Sequence, residues 1–210
     1  MYRPRAYTVD DPDVLYATIR ARRFATIAAV VGGTVQFAYA PVLLVTNDGL
    51  PARMRFHLSR LNPLSDIDET LVRLSFLGPD AYISPDWYET PALVPTWNYV
   101  AVEAAGMAHR MEPNALRQLV IDLSGAEETQ LGPKPAWTLD KVPEERVAVL
   151  LEAIRGFEVP LDSLAGKFKL SQDKGDADVA GAIAGLEARG DAASVAVAGA
   201  MRRAERARDR

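Results

Sequence analysis

No cysteine occurs among the 210 residues. Disulfide frameworks, thiolate nucleophiles, iron–sulfur clusters and zinc–thiolate centres are therefore excluded, and the composition suits a reducing compartment. Histidine is nearly as scarce: His57 and His109 are the only two. A multi-histidine metal centre is hard to build from them within one chain, so no metal is expected. Lysine is scarce and late. Of 24 basic residues, five are lysines (Lys134, Lys141, Lys167, Lys169 and Lys174), which leaves 19 arginines. The formal net charge of −4 provides no basic excess for holding nucleic acid by phosphate neutralisation. The GxGxxG, P-loop, GxSxG and HExxH fingerprints are all absent. No nucleophile–base pair is visible.

Charge is also missing from Phe24 to Asn47, a run of 24 positions long enough to cross a bilayer as a helix. Its content argues otherwise. Gly32-Gly33 interrupts it, and the flanks, 25–31 and 34–40, are β-branched and aromatic. Two such runs around Gly-Gly read as a β-hairpin with a primed turn. The first residues mix Asp10, Asp11 and Asp13 with arginines and do not resemble a signal peptide. The expectation is a soluble cytoplasmic protein with no membrane partner.

The rest of the chain divides by period. Asp11-Pro12 opens a helix to Arg22, with Val14, Leu15, Thr18 and Ile19 as its stripe. Asn47-Asp-Gly49 reads as a turn, and 53–58 as a third strand. Residues 71–77 alternate as a half-buried strand. Pro79 and Pro85 bracket a separate short strand, 81–83, and 96–108 form a long one. Glu112-Pro113 opens a helix with Leu116, Leu119, Val120 and Leu123 on one face. Pro143 opens another, carrying Val147, Leu150, Leu151 and Ile154 and ended by Gly156. Strands follow at 157–160 and 167–170. From Asp176 the chain is alanine-rich and helical, broken at Arg189-Gly-Asp191. Its end, 202–210, reads as a solvated helix terminus. Strands dominate the first half and helices the second, which is α+β with an antiparallel barrel rather than βαβ units. The expected division is a barrel domain with its N-terminal helix over 1–172, and a C-terminal helical hairpin packed on it over 173–210. That hairpin resembles a helix-turn-helix only loosely and reads as a packing element.

Three segments combine chemistry with unusual composition. His57-Leu-Ser-Arg-Leu-Asn-Pro63 gathers His57, Ser59, Arg60 and Asn62 at a strand end. The set suits a phosphate through arginine, or forms an ordinary solvated strand exit. Gly78-Pro-Asp-Ala-Tyr-Ile-Ser-Pro-Asp-Trp-Tyr88 and Val94-Pro-Thr-Trp-Asn-Tyr-Val100 concentrate aromatic rings with polar handles. These serve either a flat-ring site or a core or dimer seam. In Gly166-Lys-Phe-Lys-Leu-Ser-Gln172, alternation puts Lys167 and Lys169 on one face and Phe168 on the other. Two ammonium groups side by side need an anion, either a phosphate or a carboxylate from elsewhere in the chain.

Together these segments resemble the PaiB-type family of FMN-binding negative transcriptional regulators. They are joined by Met1-Tyr-Arg-Pro4, by Ala177-Asp-x-x-Gly181 and by Gly190-Asp191, in family order over nearly the whole chain. The resemblance implies a split β-barrel of antiparallel strands with flanking helices and a C-terminal helical segment. It implies FMN as cofactor, a homodimer with flavin in the groove between subunits, and operator DNA as a further partner. Carried over by position, Arg60 and Asn62 belong at the flavin phosphate end. Thr96, Trp97 and Asn98 line the groove, and Lys167, Lys169, Ser171 and Gln172 add donors. The chain departs from the family at Tyr39-Ala-Pro41, where His-Leu-Pro is usual, and at Leu64, where Trp is usual. Two other readings stand beside the regulator. One is a flavin-dependent oxidoreductase or flavin reductase, in which the cofactor does the chemistry. The other is a dimeric scaffold that has lost its ligand, which the departures would explain.

Overall fold

The computed structural model describes residues 1–46 and 52–208; the turn expected at Asn47-Asp-Gly49 lies outside them. The elements, in order, are β1 (Thr8–Val9), α1 (Pro12–Arg22), β2 (Phe24–Val31), β3 (Thr34–Pro41), β4 (Leu43–Val45), β5 (Arg53–Ser59), β6 (Thr70–Ile83), β7 (Thr96–Arg110), α2 (Pro113–Glu128), α3 (Glu144–Glu152), β8 (Ile154–Pro160), β9 (Ser163–Lys169), α4 (Asp176–Arg189) and α5 (Ala192–Arg208). The fold is α+β, and every strand pair with a known register is antiparallel. The described residues divide into two compact units, one of 19–76 with 103–164 and one of 1–18 with 77–102 and 165–210. Strands β6 and β7 contribute residues to both.

The first of these units carries the strand order β3-β2-β6-β7-β8-β5-β4. The Gly-Gly hairpin forms as its sequence requires. Gly32 and Gly33 both adopt positive φ, 58° and 77°, the conformation that a primed turn demands and a side chain resists. Alternation along β2 and β5 sends Ile27, Met54 and Phe56 into the core, where Phe56 meets Phe157 of β8 at 5.5 Å between ring centroids. On an outer face, Glu158 of β8 accepts from Arg55 at 2.6 Å and pairs with Arg53 at 3.4 Å. Burial opposes ionisation of Glu158, but the two guanidiniums outweigh it and hold the carboxyl below its usual range. Helix α2 buries Leu116, Leu119 and Leu123, with Leu151 and Ile154 packed against them.

Gly156 corrects the sequence reading. It stands inside β8 instead of ending α3, and Ile154 belongs to the strand. A Cβ at Gly156 would lie 2.9 Å from Leu116 Cδ1, so the glycine admits helix α2 and does not terminate a helix. Residues 71–83 differ as well. They form the single strand β6, running through Pro79, whose fixed φ stays within the extended region and costs one donor.

In the second unit, α4 and α5 form a packing hairpin. Val179, Ala182, Ile183 and Leu186 meet Val197, Ala198 and Met201 in one cluster with Ile83, Val100 and Leu170. Gly190 turns the chain with φ 72°, and Asp191 caps α5 by accepting from Ser194 N–H at 3.0 Å. Residues 165–172 fall in the same unit as these helices. The start of the tail is not free: Arg202 of α5 forks onto Glu187 of α4 at 2.8 and 2.9 Å. The glycines of α4 admit Trp87. A Cβ at Gly181 would lie 2.0 Å from the Trp87 carbonyl oxygen, and one at Gly185 would lie 2.3 Å from its indole Cδ2. Asp178 completes the contact by accepting from Glu89 N–H at 2.8 Å and Thr90 N–H at 2.9 Å.

Gly181→Ala is expected to destabilise the protein by about 1–3 kcal/mol in urea unfolding through overpacking. Gly199→Ala in α5, where a Cβ meets nothing closer than Arg203 Nη1 at 3.5 Å, is expected to be neutral or to stabilise by about 0.5–1 kcal/mol.

Candidate functional site

Seven of the nine residues singled out in the sequence come together in the unit holding α4 and α5. Strand alternation divides their roles. Along β7, Trp97 is 54% exposed while Asn98 is wholly buried. Asn98 Nδ2 donates to Ser171 Oγ at 2.9 Å and contacts Met201 Sδ at 3.4 Å. Its Oδ1 is buried without a partner among the described residues. Asn98 is thus a core amide and not a lining group. Ser171 reaches it from a left-handed backbone, φ 65°, at the close of β9. The next residue, Gln172, accepts from Leu170 N–H at 2.7 Å and donates back to Phe168 O, so its amide closes the same turn.

That turn delivers two lysines. Lys169 Nζ donates to Thr96 Oγ1 and, at 2.9 Å, to the Trp97 carbonyl, which leaves one of its three N–H groups. Burial lowers the Lys169 pKa, with Asp173 opposing and Lys174 and Lys167 adding repulsion. Lys167 Nζ lies 5.3 Å from the Tyr99 ring centroid and 5.5 Å from that of Tyr2, a cation–π arrangement with no carboxylate. The alternation of Lys167 and Lys169 against Phe168 is as expected, since Phe168 packs on the helical cluster. Asp173, which could have answered both lysines, is paired at 3.0 Å with Lys174. Burial and the Asp173 carboxylate push the Tyr7 phenol up to about 12. Tyr82, 37% exposed, stands edge-on to Trp97 at 6.2 Å. Tyr7, Tyr82 and Asp173 were not singled out from the sequence; only the aromatic density around Tyr82 signalled any of them.

Arg60 and Asn62 lie in the other unit. Asn62 Oδ1 accepts from Leu64 N–H at 2.8 Å, forming an Asx turn that delivers Leu64 fully buried to the core. The Arg60 side chain is exposed on a hollow of about 450 Å³ that Arg110, Arg155 and Leu151 also line. Arg110 and Arg155 are both tied to Asp66, whereas Arg60 has no ion pair among the described residues. His57 does not join Arg60; it opens on a different hollow. Tyr39, one of the departures, is 66% exposed on β3.

The family described as "Putative FMN-binding domain" matches residues 1–163. The Bacillus subtilis protein named Protease synthase and sporulation protein PAI 2 is 28% identical over 190 residues, with 89% of each chain covered. An uncharacterized Aspergillus fumigatus protein is 30% identical over 197 residues, with 75% of each covered. Among solved structures, the FAD and heme binding protein from Mycobacterium smegmatis superposes with a TM-score of 0.56 at 16% identity, over 83% of this chain and 79% of that one. At that identity the likeness establishes the fold, the α+β split-barrel type.

Ser171→Ala is expected to lower stability by about 1–3 kcal/mol, because it removes the partner of a buried amide. Ser171→Gly is expected to cost less, since the left-handed conformation disfavours a side chain by about 1–2 kcal/mol. Urea denaturation of both variants checks the order.

Proposed function

This chain belongs to the FMN-binding-domain family, and from that premise we propose that it is a flavin-binding regulator of the PaiB type, acting as a homodimer in the cytoplasm. FMN presents an anionic phosphate, a flat tricycle and polar ring edges. The unit holding α4 and α5 offers groups that fit. Trp97 and Tyr82 present exposed ring surface, Lys169 keeps one N–H beyond those given to Thr96 and Trp97, and Lys167 faces the Tyr2 and Tyr99 rings. The observation that carries the reading is this pair of ammonium groups beside an exposed indole, neither in an ion pair among the described residues. Lys167, Lys169, Thr96 and Trp97 act as contacts. Asn98, Ser171 and Gln172 hold them in position; Arg60 and Asn62 stand as a separate candidate donor set on the other unit. When bound, FMN supplies reversible hydride and electron acceptance, while the chain supplies orientation.

The β2–β3 ribbon supports a dimer. Val30, Val35, Phe37 and Tyr39 are each more than half exposed, and the register sets Val30 against Val35, Phe37 against Ala28 and Tyr39 against Thr26 on one face. Leu71 of β6 is also 55% exposed. An apolar sheet face of this kind is characteristically covered, and a second copy is the occupant that the family implies. Among the described residues no helix is long and apolar enough to cross a membrane. The regulatory role rests on the PaiB resemblance alone, and the net charge of −4 provides no excess for strong non-specific DNA binding.

FMN is expected to lose fluorescence on titration with the protein. Lys169→Ala and Arg60→Ala are each expected to weaken that binding by about 1.5–3 kcal/mol, as for a lost charge-assisted bond. Unchanged affinity removes the residue concerned from the site, and recovery of one operator fragment from genomic DNA tests the regulatory role. Light scattering is expected to give twice the chain mass, falling to the single-chain mass for Phe37→Asp.

A further inference from the structure

A second hollow, of about 400 Å³, lies where α2 faces the α1–β2 junction and β5. Arg22, Arg23, His57 and Glu127 supply its charged and titratable groups, and Phe24, Pro41 and Leu123 contribute apolar wall. Arg23 is held in the left-handed region, φ 46°. Its N–H donates to Ile19 O at 2.8 Å, its Nε donates to Arg20 O at 2.8 Å, and its own carbonyl accepts from Val42 N–H at 2.6 Å. The guanidinium is thereby fixed from behind.

Arg23 and His57 both line the hollow, and on each a buried polar atom, Arg23 Nη1 and His57 Nδ1, has no hydrogen-bond partner among the described residues. Buried polar atoms are nearly always satisfied, so two orphans on one hollow point to a ligand. Burial holds the His57 pKa below its usual value, and the neutral ring offers Nδ1 as donor or acceptor according to tautomer. Glu127 Oε1 lies 3.4 Å from Arg23 Nη1 without a hydrogen bond, on a side chain 61% exposed; a ligand oxygen can displace it. The charges of Arg22, Arg23 and Glu127 sum to one positive charge. That balance matches a monoanion, and the apolar wall matches an apolar body.

We propose that this hollow binds a small monocarboxylate with an apolar body, its carboxylate on Arg23 and its second polar contact on His57. The site goes beyond the flavin reading, whose contacts include none of these residues.

With only two histidines in the chain, the imidazole Cε1–H resonances report the site directly, and exposed His109 serves as the internal reference. Benzoate is expected to shift the His57 signal saturably and leave His109 in place. Benzamide, which lacks the charge, and Arg23→Lys, which lacks the fork, are each expected to bind about tenfold or more weakly. Glu127→Gln, which removes the competing carboxylate at an exposed position, is expected to tighten benzoate severalfold. A His57 signal unmoved by millimolar benzoate or hexanoate overturns the proposal. Equal response to benzamide or to inorganic phosphate overturns the monocarboxylate class. Displacement of benzoate by FMN assigns the hollow to the flavin and overturns it as a separate site.

Discussion

Asn98 imposes the constraint on which the candidate site depends. A primary amide with no solvent exposure, set among Val100, Leu170 and Met201, must be answered by hydrogen bonds or pay a desolvation penalty of a few kcal/mol. Ser171 answers its Nδ2 from a left-handed backbone at the close of β9, while Oδ1 has no partner among the described residues. The same turn places Gln172 on Leu170 N–H, and the strand end it fixes carries Lys169 onto Thr96 and the Trp97 carbonyl. One buried polar demand therefore sets how the lysine strand meets the aromatic strand. The placement of Trp97, Lys167 and Lys169 follows from a buried bond between side chains that face the core.

The scarcity of lysine gains a structural meaning. Arginine's planar fork suits carboxylates, and many arginines here are used that way inside the fold. Arg53 and Arg55 share Glu158, Arg110 and Arg155 share Asp66, and Arg117 forks onto Glu144 at 2.8 Å through both nitrogens. Exposed pairs of this kind contribute about 0–1 kcal/mol each, so their main effect is to take these arginines out of play as anion binders. Lys167 and Lys169 escape that pairing. Net charge is for this reason a poor guide to anion binding in the chain, and the local partner of each cation is a good one.

Much of the architecture was legible because its causes are local. Gly32-Gly33 between two β-branched runs admits little besides a primed hairpin. Asp11-Pro12 and Asp191 cap their helices as short-range chemistry dictates. The errors arose where a long-range contact decided. Gly156 looks like a helix stop until Leu116 is known to press on it, and Pro79 looks like a break until β6 is seen to carry it within the extended region. At the site, residue types were legible and roles were not. Arg60 and His57, three positions apart, open on different hollows, because the strand end between them turns the chain.

The aromatic motifs show why role and residue type separate. In β7 the period of two sends Asn98, Val100 and Val102 inward and leaves Trp97 and Tyr99 outward. In β9 it turns Lys167 and Lys169 away from Phe168. A motif lying on a strand is thus two interleaved messages, one written for the core and one for whatever meets the surface. Trp87 belongs to the first kind, wedged against the glycine face of α4, and Trp97 to the second. Gly181 and Gly185, one helical turn apart, are the sequence signal that separates the two tryptophans. A helix that gives up side chains at that spacing is making room for a large neighbour, so the ring left without such a recess is the one available to a ligand.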